Sequence, residues 1–442
     1  MPEIPPSAVK ALSILKERGF ESYFVGGCVR DMLMGVDPKD WDIATAAVPQ
    51  QVKAAFQNFP VLEMGIKHGT VTVLIDREPL EITTFRRDVG YSDHRHPDTV
   101  VFAETIEEDV SRRDFTMNAL AFDPERGVID YFGGVGDIKK QTVRCVGEAN
   151  YRFNEDALRI LRALRFSSVL GFRIDLKTTA AIRQSRELLR SVSAERITIE
   201  LTKLICGQKA GDVLREFADV IGVAIPEILP LVDFNQHNEH HCYDAWGHTA
   251  AVVENTGATP VLRWAACFHD IGKADCFSLG EDGVGHFYEH AALSERKADT
   301  IMGRLKFDNA TRERILTLVA YHDTQLHSEA RAVRRYLYRF GEEALRQLLL
   351  LQYADAMSQA PEHRCRIRDI ERTLAVMEQV IGEASCFSLK DLMVDGNDMM
   401  ALGLRGKEIG AALDFLLRAV MDDQVPNEKA LLLKHLSQNH MA

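Results

Sequence analysis

Between Tyr23 and Thr45 the chain compresses an apolar triplet (Tyr23-Phe24-Val25), a glycine pair (Gly26-Gly27), a helix-like stretch (Cys28–Met34) and two aspartates one residue apart, Asp40 and Asp42. This order constrains the fold more than any other feature, because it dictates a strand, a glycine turn, a helix and a return strand in one short segment. On a strand, alternate side chains share a face, so Asp40 and Asp42 point both carboxylates at one place. Neighbouring anionic oxygens repel unless a cation lies between them, and Mg²⁺ suits hard carboxylate ligands together with phosphates. The turn leaves backbone N–H groups, Gly27 included, where a triphosphate can dock. Arg30, one turn into the helix, adds charge for the same group. A surface D-x-D beside an ordinary turn is the plain alternative for either element alone; the two together point to a nucleotide site.

Two metals flanking an in-line displacement call for a third carboxylate. Leu80-Glu81-Ile82-Thr83-Thr84-Phe85 alternates as a half-buried strand does, and Val71–Asp76, joined through Arg77-Glu78-Pro79, makes its hairpin partner. Glu81 is therefore the candidate to complete the cluster, as a ligand or as the base taking a proton from an attacking hydroxyl. An exposed strand glutamate is the alternative.

A chain of 442 residues, 46% hydrophobic and 27% charged, has the composition of a soluble globular protein of two to four domains. The opening MPEIPPSAVKAL has no apolar h-region and no stretch approaches a membrane span, so a cytoplasmic protein without membrane contact is expected. Eight cysteines without C-x-x-C pairs fit reduced thiols, and Cys28 reads as a small packing residue. The net charge of −12 argues superficially against a nucleic-acid partner. Its distribution matters more: Val146–Phe217 holds thirteen Lys/Arg against nine Asp/Glu, a basic strip compatible with RNA. The oligomeric state is left open.

The first ~140 residues mix strand-like runs and turns, and from Asn154 helical periodicity takes over. Asn154 reads as an N-cap with Glu155 and Asp156 in the first turn. Asp156, Arg159, Arg162 and Arg165 recur at steps of three as a polar ribbon on that helix, beside apolar Leu158, Leu161 and Leu164. A solvated, self-paired face competes with a recognition role. Pro226–Pro230 marks a boundary. Beyond it, His248, His269-Asp270, His290, His322 and Asp355 combine imidazoles and carboxylates suited to a divalent metal, against the alternative of packed histidines. A last module, Ser388–Leu436, contains Leu392–Asp398 and the glycines Gly403, Gly406 and Gly410.

These residues resemble class II tRNA nucleotidyltransferases, the bacterial-type CCA-adding enzymes related to poly(A) polymerases. Gly26-Gly27-Cys28-Val29-Arg30-Asp31 is similar to the family's phosphate-binding motif and Asp40-Trp41-Asp42 to its metal motif. Arg112-Arg113-Asp114-Phe115-Thr116-Met117-Asn118-Ala119 resembles the motif that discriminates ribose and lends an arginine, here Arg113, to the nucleotide. Glu155-Asp156-Ala157-Leu158-Arg159 is similar to the amino-acid template, with Arg162 and Arg165 beside it and Ser193-Ala194-Glu195-Arg196 bracing the helix. The resemblance implies that Asp156 and Arg159 pair with cytosine or adenine and leave unpaired groups against uracil or guanine. It also places a flexible loop at Arg86–Ala103, which disfavours a CC-only enzyme.

The histidine region resembles an HD-domain phosphohydrolase, implying divalent metal (Mg, Mn, Ni or Fe) on His248, His269, Asp270 and Asp355, with His290 and His322 available for a second ion. The expectation is an α+β protein: a polymerase-beta-like nucleotidyltransferase α/β head (1–145), an all-helical neck (146–228), an HD domain (229–360) and a helical tRNA-binding tail (361–442). Its implied activity is CCA addition to tRNA from CTP and ATP with Mg²⁺. An A-adding enzyme, a poly(A) polymerase and a mainly HD-type phosphohydrolase are the alternatives.

Overall fold

A mixed seven-stranded sheet decides where the acidic residues of the N-terminal region stand. The computed structural model describes residues 2–63, 65–66, 69–89, 99–237, 242–383 and 385–439, and the chain forms two compact units, Met1–Leu229 and Pro230–Ala442. The first unit runs α1 (Pro6–Glu17), β1 (Ser22–Val25), α2 (Gly27–Leu33), β2 (Asp42–Thr45), α3 (Pro49–Ala55), β3 (Val61–Leu62), β4 (Thr70–Ile75), β5 (Glu78–Thr84), β6 (Arg86–Val89) and β7 (Thr99–Phe102). It continues with α4 (Ile106–Ser111), β8 (Leu120–Asp123), β9 (Gly127–Asp130), α5 (Gly134–Lys139), β10 (Thr142–Val143), α6 (Ala149–Glu155) and α7 (Leu158–Leu170). Then come β11 (Arg173–Ile174), α8 (Leu176–Ser185), α9 (Ala194–Ile205), α10 (Ala210–Glu216) and α11 (Ala218–Ala224).

The sheet order is β3-β4-β5-β2-β1-β8-β9. Strand β4, TVTVLI, alternates half-buried threonine or leucine with buried valine or isoleucine, the pattern of a strand with one face on the core. Helix α1 supplies Ala8, Ala11, Leu12 and Leu15 to that core, a helical stripe meeting Val71, Val73 and Ile75. Between Asp40 and Asp42, Trp41 turns inward and meets Phe24 edge to face at 5.1 Å, so the aspartates on either side turn away from the core. Strand β2 begins only at Asp42; Asp40 precedes it, a correction to the single-strand expectation. The β4–β5 hairpin also turns earlier than expected. Asp76 and Arg77 take φ of 51° and 71°, a two-residue turn of the kind that follows strand twist, which leaves Glu78 and Pro79 inside β5.

The segment expected to be a loop, Arg86–Ala103, forms at its base an antiparallel ribbon pairing Arg86 with Phe102 and Val89 with Thr99. Its tip, residues 90–98, lies outside the described residues. Asn154 is not an N-cap: it lies in the last turn of α6. The chain then breaks at Asp156 (φ −140°, ψ 104°) and restarts as α7, so Asp156 stands at a junction and only Arg159, Arg162 and Arg165 share the helix. Nor is the neck purely helical, since β11 pairs in parallel with β10. Helix α7 ends at Gly171, whose φ of 72° suits glycine.

The second unit holds α12 (Ala245–Asn255), α13 (Pro260–Phe268), the hairpin β12–β13 (Phe277–Leu279 and Gly285–Phe287), α14 (His290–Arg304), α15 (Asn309–Tyr321), α16 (Ala330–Phe340), α17 (Glu342–Met357) and α18 (Arg366–Gly382). Helices α19 (Gly396–Ala401), α20 (Lys407–Met421) and α21 (Lys429–Asn439) follow and close a core of their own around Met399, Leu416, Leu417 and Leu432. Asp395 caps α19 by accepting from the backbone N–H groups of Asn397 and Asp398. Among the described residues, no helix is long and apolar enough to cross a membrane.

The packing of α7 on α9 tests the frame beneath the site. Ser168 Oγ donates to the Leu204 carbonyl at 2.6 Å, and a Cβ on Gly207 would lie 2.2 Å from Ser168 Oγ and 2.7 Å from its backbone carbon. Gly207→Ala should therefore destabilise the unit by about 2 kcal/mol, read as a lowered urea midpoint. An unchanged midpoint would show that the two helices can part without loss.

Candidate active site

The turn after β1 and the α6–α7 junction, far apart in sequence, line one open cleft of about 390 Å³. Of the residues singled out in the sequence, Gly27, Arg30, Asp42, Arg113, Asp156, Arg159 and Arg162 line it. Gly26, Arg112, Asp114, Asn118, Leu158, Phe166 and Arg196 complete the wall. Arg165 is not among the lining residues; it pairs with Glu200 at 2.6 Å. At Gly26 the chain takes φ 80°, and a Cβ there would fall 2.6 Å from Arg113 Nη1. Glycine therefore both makes the turn and lets Arg113 lie across it.

Of the three acids expected to form a cluster, Asp42 lines the cleft, whereas Asp40 and Glu81 are not among its lining residues. Parallel pairing of β2 and β5 sets Asp42 directly opposite Glu81, which puts both side chains on the same face. Burial pushes the Asp42 carboxyl up to about 6, with the charges of Glu81 and Asp40 adding to the rise and Arg113 opposing it. A carboxylate so placed is relieved by a cation, and hard oxygen donors fit Mg²⁺-like ions. The acidic residues present, Asp42 with Asp40 two residues before it and Glu81 opposite it, thus fit a divalent metal. The carboxylate oxygens of Asp40, Asp42 and Glu81 do not all lie within 4.8 Å of one another.

The rest of the wall is cationic, and buried acids position it. Asp109 accepts from Arg112 Nη2 at 2.8 Å and Arg113 Nη2 at 3.3 Å. Its burial favours the neutral acid, but the two guanidinium groups outweigh that and hold it below the usual carboxylate range. Asp114 accepts from Arg162 Nε and Nη2 at 2.8 and 2.5 Å and from Asn118 at 3.0 Å. Burial again opposes ionisation, and Arg162 brings its pKa down to about 2. Arg30 donates to Asn118 Oδ1 and to Asp31, both at 2.8 Å. Around the ring of Phe166 stand Arg30, Arg162 and Arg165, 5.2, 5.6 and 4.0 Å from its centroid.

Asp156 and Arg159 are held by different partners. Arg196 Nη2 donates to Asp156 Oδ2 at 2.8 Å, while Asp156 Oδ1 accepts from the Leu158 N–H at 3.1 Å. Arg159 donates to Glu155 Oε2 at 2.5 Å and to the Arg112 carbonyl at 3.0 Å. Sequence reasoning missed Asp109, Glu155 and Glu200 as supports. The i,i+3 and i,i+4 spacings Asp109–Arg112–Arg113 and Arg152–Glu155–Arg159 were the available signal.

In the second unit the histidines do converge. His248 Nε2 lies 3.0 Å from Asp355 Oδ1 and 3.7 Å from Asp270 Oδ2, and His269 Nε2 is 3.1 Å from the same Asp270 oxygen. Asp270 Oδ1 faces His290 and His322 at 3.5 and 3.7 Å. Lys273 Nζ contacts Asp270 Oδ2 at 2.8 Å. His269, His290 and His322 each donate Nδ1–H to a backbone carbonyl three residues earlier, at 2.8, 2.9 and 2.7 Å. In the neutral ring that fixes the lone pair on Nε2. Burial pulls the His290 pKa down, which favours this neutral form. The Nε2 atoms of His290 and His322 then face each other at 3.2 Å, a repulsive pairing that a shared cation relieves. The donor set therefore fits divalent metal.

Asp42 gives a pH-dependent prediction. Its folded pKa lies above the unfolded value, so stability from this group is fully present below the unfolded carboxylate range and is lost as pH rises through about 6. Without divalent cations, Asp42→Asn should raise stability near neutral pH by about 2 kcal/mol, and the gain should nearly vanish near pH 4. Thermal melts of both proteins at the two pH values check this.

Family comparisons agree with the geometry. Residues 22–144 match the poly A polymerase head domain, residues 171–220 the RNA and SrmB-binding site of polymerase A, and residues 285–436 tRNA nucleotidyltransferase domain 2. The CCA-adding enzyme of Lactobacillus johnsonii is 33% identical over 443 residues, covering 100% of this chain and 99% of that one. The crystal structure of the Bacillus stearothermophilus CCA-adding enzyme in complex with CTP superposes with a TM-score of 0.72 at 29% identity, covering 99% of this chain and 98% of that one. A Thermotoga maritima CCA-adding enzyme complexed with tRNA shares the fold at 19% identity, with a TM-score of 0.61 and coverage of 98% and 96%. The chain belongs to the CCA-adding enzyme family of class II tRNA nucleotidyltransferases.

Proposed function

We propose that this chain adds C, C and A in turn to the 3′ end of tRNA, using CTP and ATP with Mg²⁺ and no nucleic-acid template. What carries the reading is that Asp42 and the Asp156–Arg159 segment line the same cleft. In this reading residues 1–145 are the head, 146–228 the neck and 361–442 a tRNA-binding tail. The terminal 3′-hydroxyl attacks the α-phosphate; the new O–P bond forms as the bond to pyrophosphate breaks. The hydroxyl proton passes to the Glu81 carboxylate. Asp40 and Asp42 would hold the divalent metal, which would supply positive charge to the reacting phosphate. Arg30 and the glycine turn face the triphosphate, and Arg113 the ribose side. Asp156 and Arg159 present an acceptor and donors to the base edge, satisfied by cytosine or adenine and mismatched by uracil or guanine.

A tRNA lacking its last three nucleotides should grow by three with CTP and ATP together and by two with CTP alone. Failure to incorporate C would make this an A-adding enzyme or a poly(A) polymerase instead. Asp42→Ala should slow addition by at least ~10³-fold while tRNA binding persists. Arg159→Ala should cost base choice before it costs binding, seen as UTP or GTP incorporation rising relative to CTP.

The buried cluster around Asp270 supports a second activity, a metal-dependent phosphohydrolase of the HD type in residues 229–360, with Mg, Mn, Ni or Fe. Its carboxylate faces His248 and His269 with one oxygen and His290 and His322 with the other. In an Asp42→Asn background, which takes a ligand from the metal site of the head, two ions per chain are expected after Mn²⁺ loading and dialysis, falling to one when His290→Ala is added, counted by elemental analysis. His269→Ala should abolish phosphoester hydrolysis and leave CCA addition unchanged; equal loss of both would refute two separate sites.

A further inference from the structure

Phe166, on α7, lines the nucleotide cleft although no sequence motif singled it out, and it is buried. Its ring meets that of the fully buried Phe115 edge to face at 5.7 Å, which anchors it. Three guanidinium groups stand over this one ring: Arg165 at 4.0 Å from the centroid, Arg30 at 5.2 Å and Arg162 at 5.6 Å. Arg162 and Arg165 belong to the same helix, whereas Arg30 reaches across from α2.

Three like charges gathered at one ring repel. Each has an anion of its own: Asp31 for Arg30 at 2.7 Å, Asp114 for Arg162 at 2.5 Å and Glu200 for Arg165 at 2.6 Å. These anions do not remove the crowding. Burial pulls the Arg165 pKa below its usual value, and the charges of Arg162 and Arg30 add to the fall against the pull of Glu200. The three anions lie on different elements, so they draw the arginines apart as well as neutralising them. What the guanidinium groups share is the ring, whose face carries the negative part of an aromatic quadrupole. Of the three, Arg30 and Arg162 line the cleft and Arg165 does not.

We propose that Phe166 is a positioning residue for nucleotide binding, its ring face holding Arg30 and Arg162 together at the cleft before the triphosphate arrives. The inference rests on the CCA-adding reading, which puts the triphosphate in this cleft. Phe166 acts through the two arginines and touches no reacting atom. It therefore tightens CTP and ATP alike, without choosing between bases and without altering the transfer step. A ring that only filled space would do the same work with or without its quadrupole.

The test places 4-fluoro-, 3,5-difluoro- and 3,4,5-trifluorophenylalanine at position 166 of the full chain by site-specific incorporation. Fluorine nearly preserves the shape of the ring and drains negative potential from its face, so a packing role would not register the change. CTP is titrated calorimetrically with Mg²⁺ present, and initial rates of C addition to a tRNA lacking CCA are measured alongside. The CTP dissociation constant and KM should rise stepwise to at least about fivefold at the trifluoro ring, with ATP following. Over the series kcat should stay within about threefold and the KM for tRNA within about twofold. Phe166→Leu should weaken CTP by about tenfold and Phe166→Tyr by less than about threefold; the fluorinated series decides even if the leucine variant fails to fold. CTP affinity within about twofold of wild type throughout would make the ring a space-filler and overturn the inference. Equal weakening of CTP and tRNA, the mark of a general loosening, would overturn it too. A wild-type chain that bound CTP yet added no nucleotide would sink the CCA-adding reading alone, with the CTP titrations still deciding the role of Phe166. One that bound no CTP would sink both.

Discussion

Asp42 is placed where its own charge is unfavourable, and much of the head's architecture follows from that. A parallel pairing of β2 with β5 sets a second carboxylate, Glu81, opposite it, and Asp40 stands two residues before it. Burial and these neighbours keep its pKa near 6, so near neutral pH the fold holds a repulsive cluster that binding of a cation relieves. The fold gives up stability at this point in exchange for a site, the usual trade at reactive centres.

Opposite that acidic strand, the cleft needs guanidinium groups fixed in direction, and it obtains them from buried acids rather than from water. Asp109 holds Arg112 and Arg113, Asp114 holds Arg162, and Glu155 holds Arg159, each ion pair having at least one largely buried member. Only at Asp156 is the order reversed, with Arg196 bracing an acid. Exposed ion pairs contribute little, but pairs shielded from solvent and tied by several hydrogen bonds set geometry as well as charge. In the proposed reading, a template made of side chains would depend on this, because its pairing edges must stay in register without a strand to hold them.

Much of this was legible in the sequence because the chemistry sits in short, ordered motifs. The glycine pair and Asp40-Trp41-Asp42 foretold the strand that starts at Asp42, the alternation around Glu81 foretold β5, and the three-residue spacing of Arg159, Arg162 and Arg165 foretold one helix face. What was not legible depended on pairing between distant segments. Nothing local says that Asp114 reaches Arg162 forty-eight positions on, or that Asp42 and Glu81 share a register. Asn154 misled because a good capping residue can equally end a helix, and Asp156, not Asn154, takes the extended backbone that separates α6 from α7. The histidines were legible as a group, and the fold brings them around Asp270. That Asp270 faces two different histidine pairs with its two oxygens required coordinates.

The account turns on a cation drawn to Asp42 in the cleft that Asp156 and Arg159 also line. CTP binding to the full chain, titrated with and without Mg²⁺ from about pH 5 to pH 8, tests this most directly. Affinity should need the divalent ion and should rise with pH through about 6, and Asp42→Asn should remove both dependences. CTP binding that ignored both Mg²⁺ and pH in the unaltered protein would contradict it.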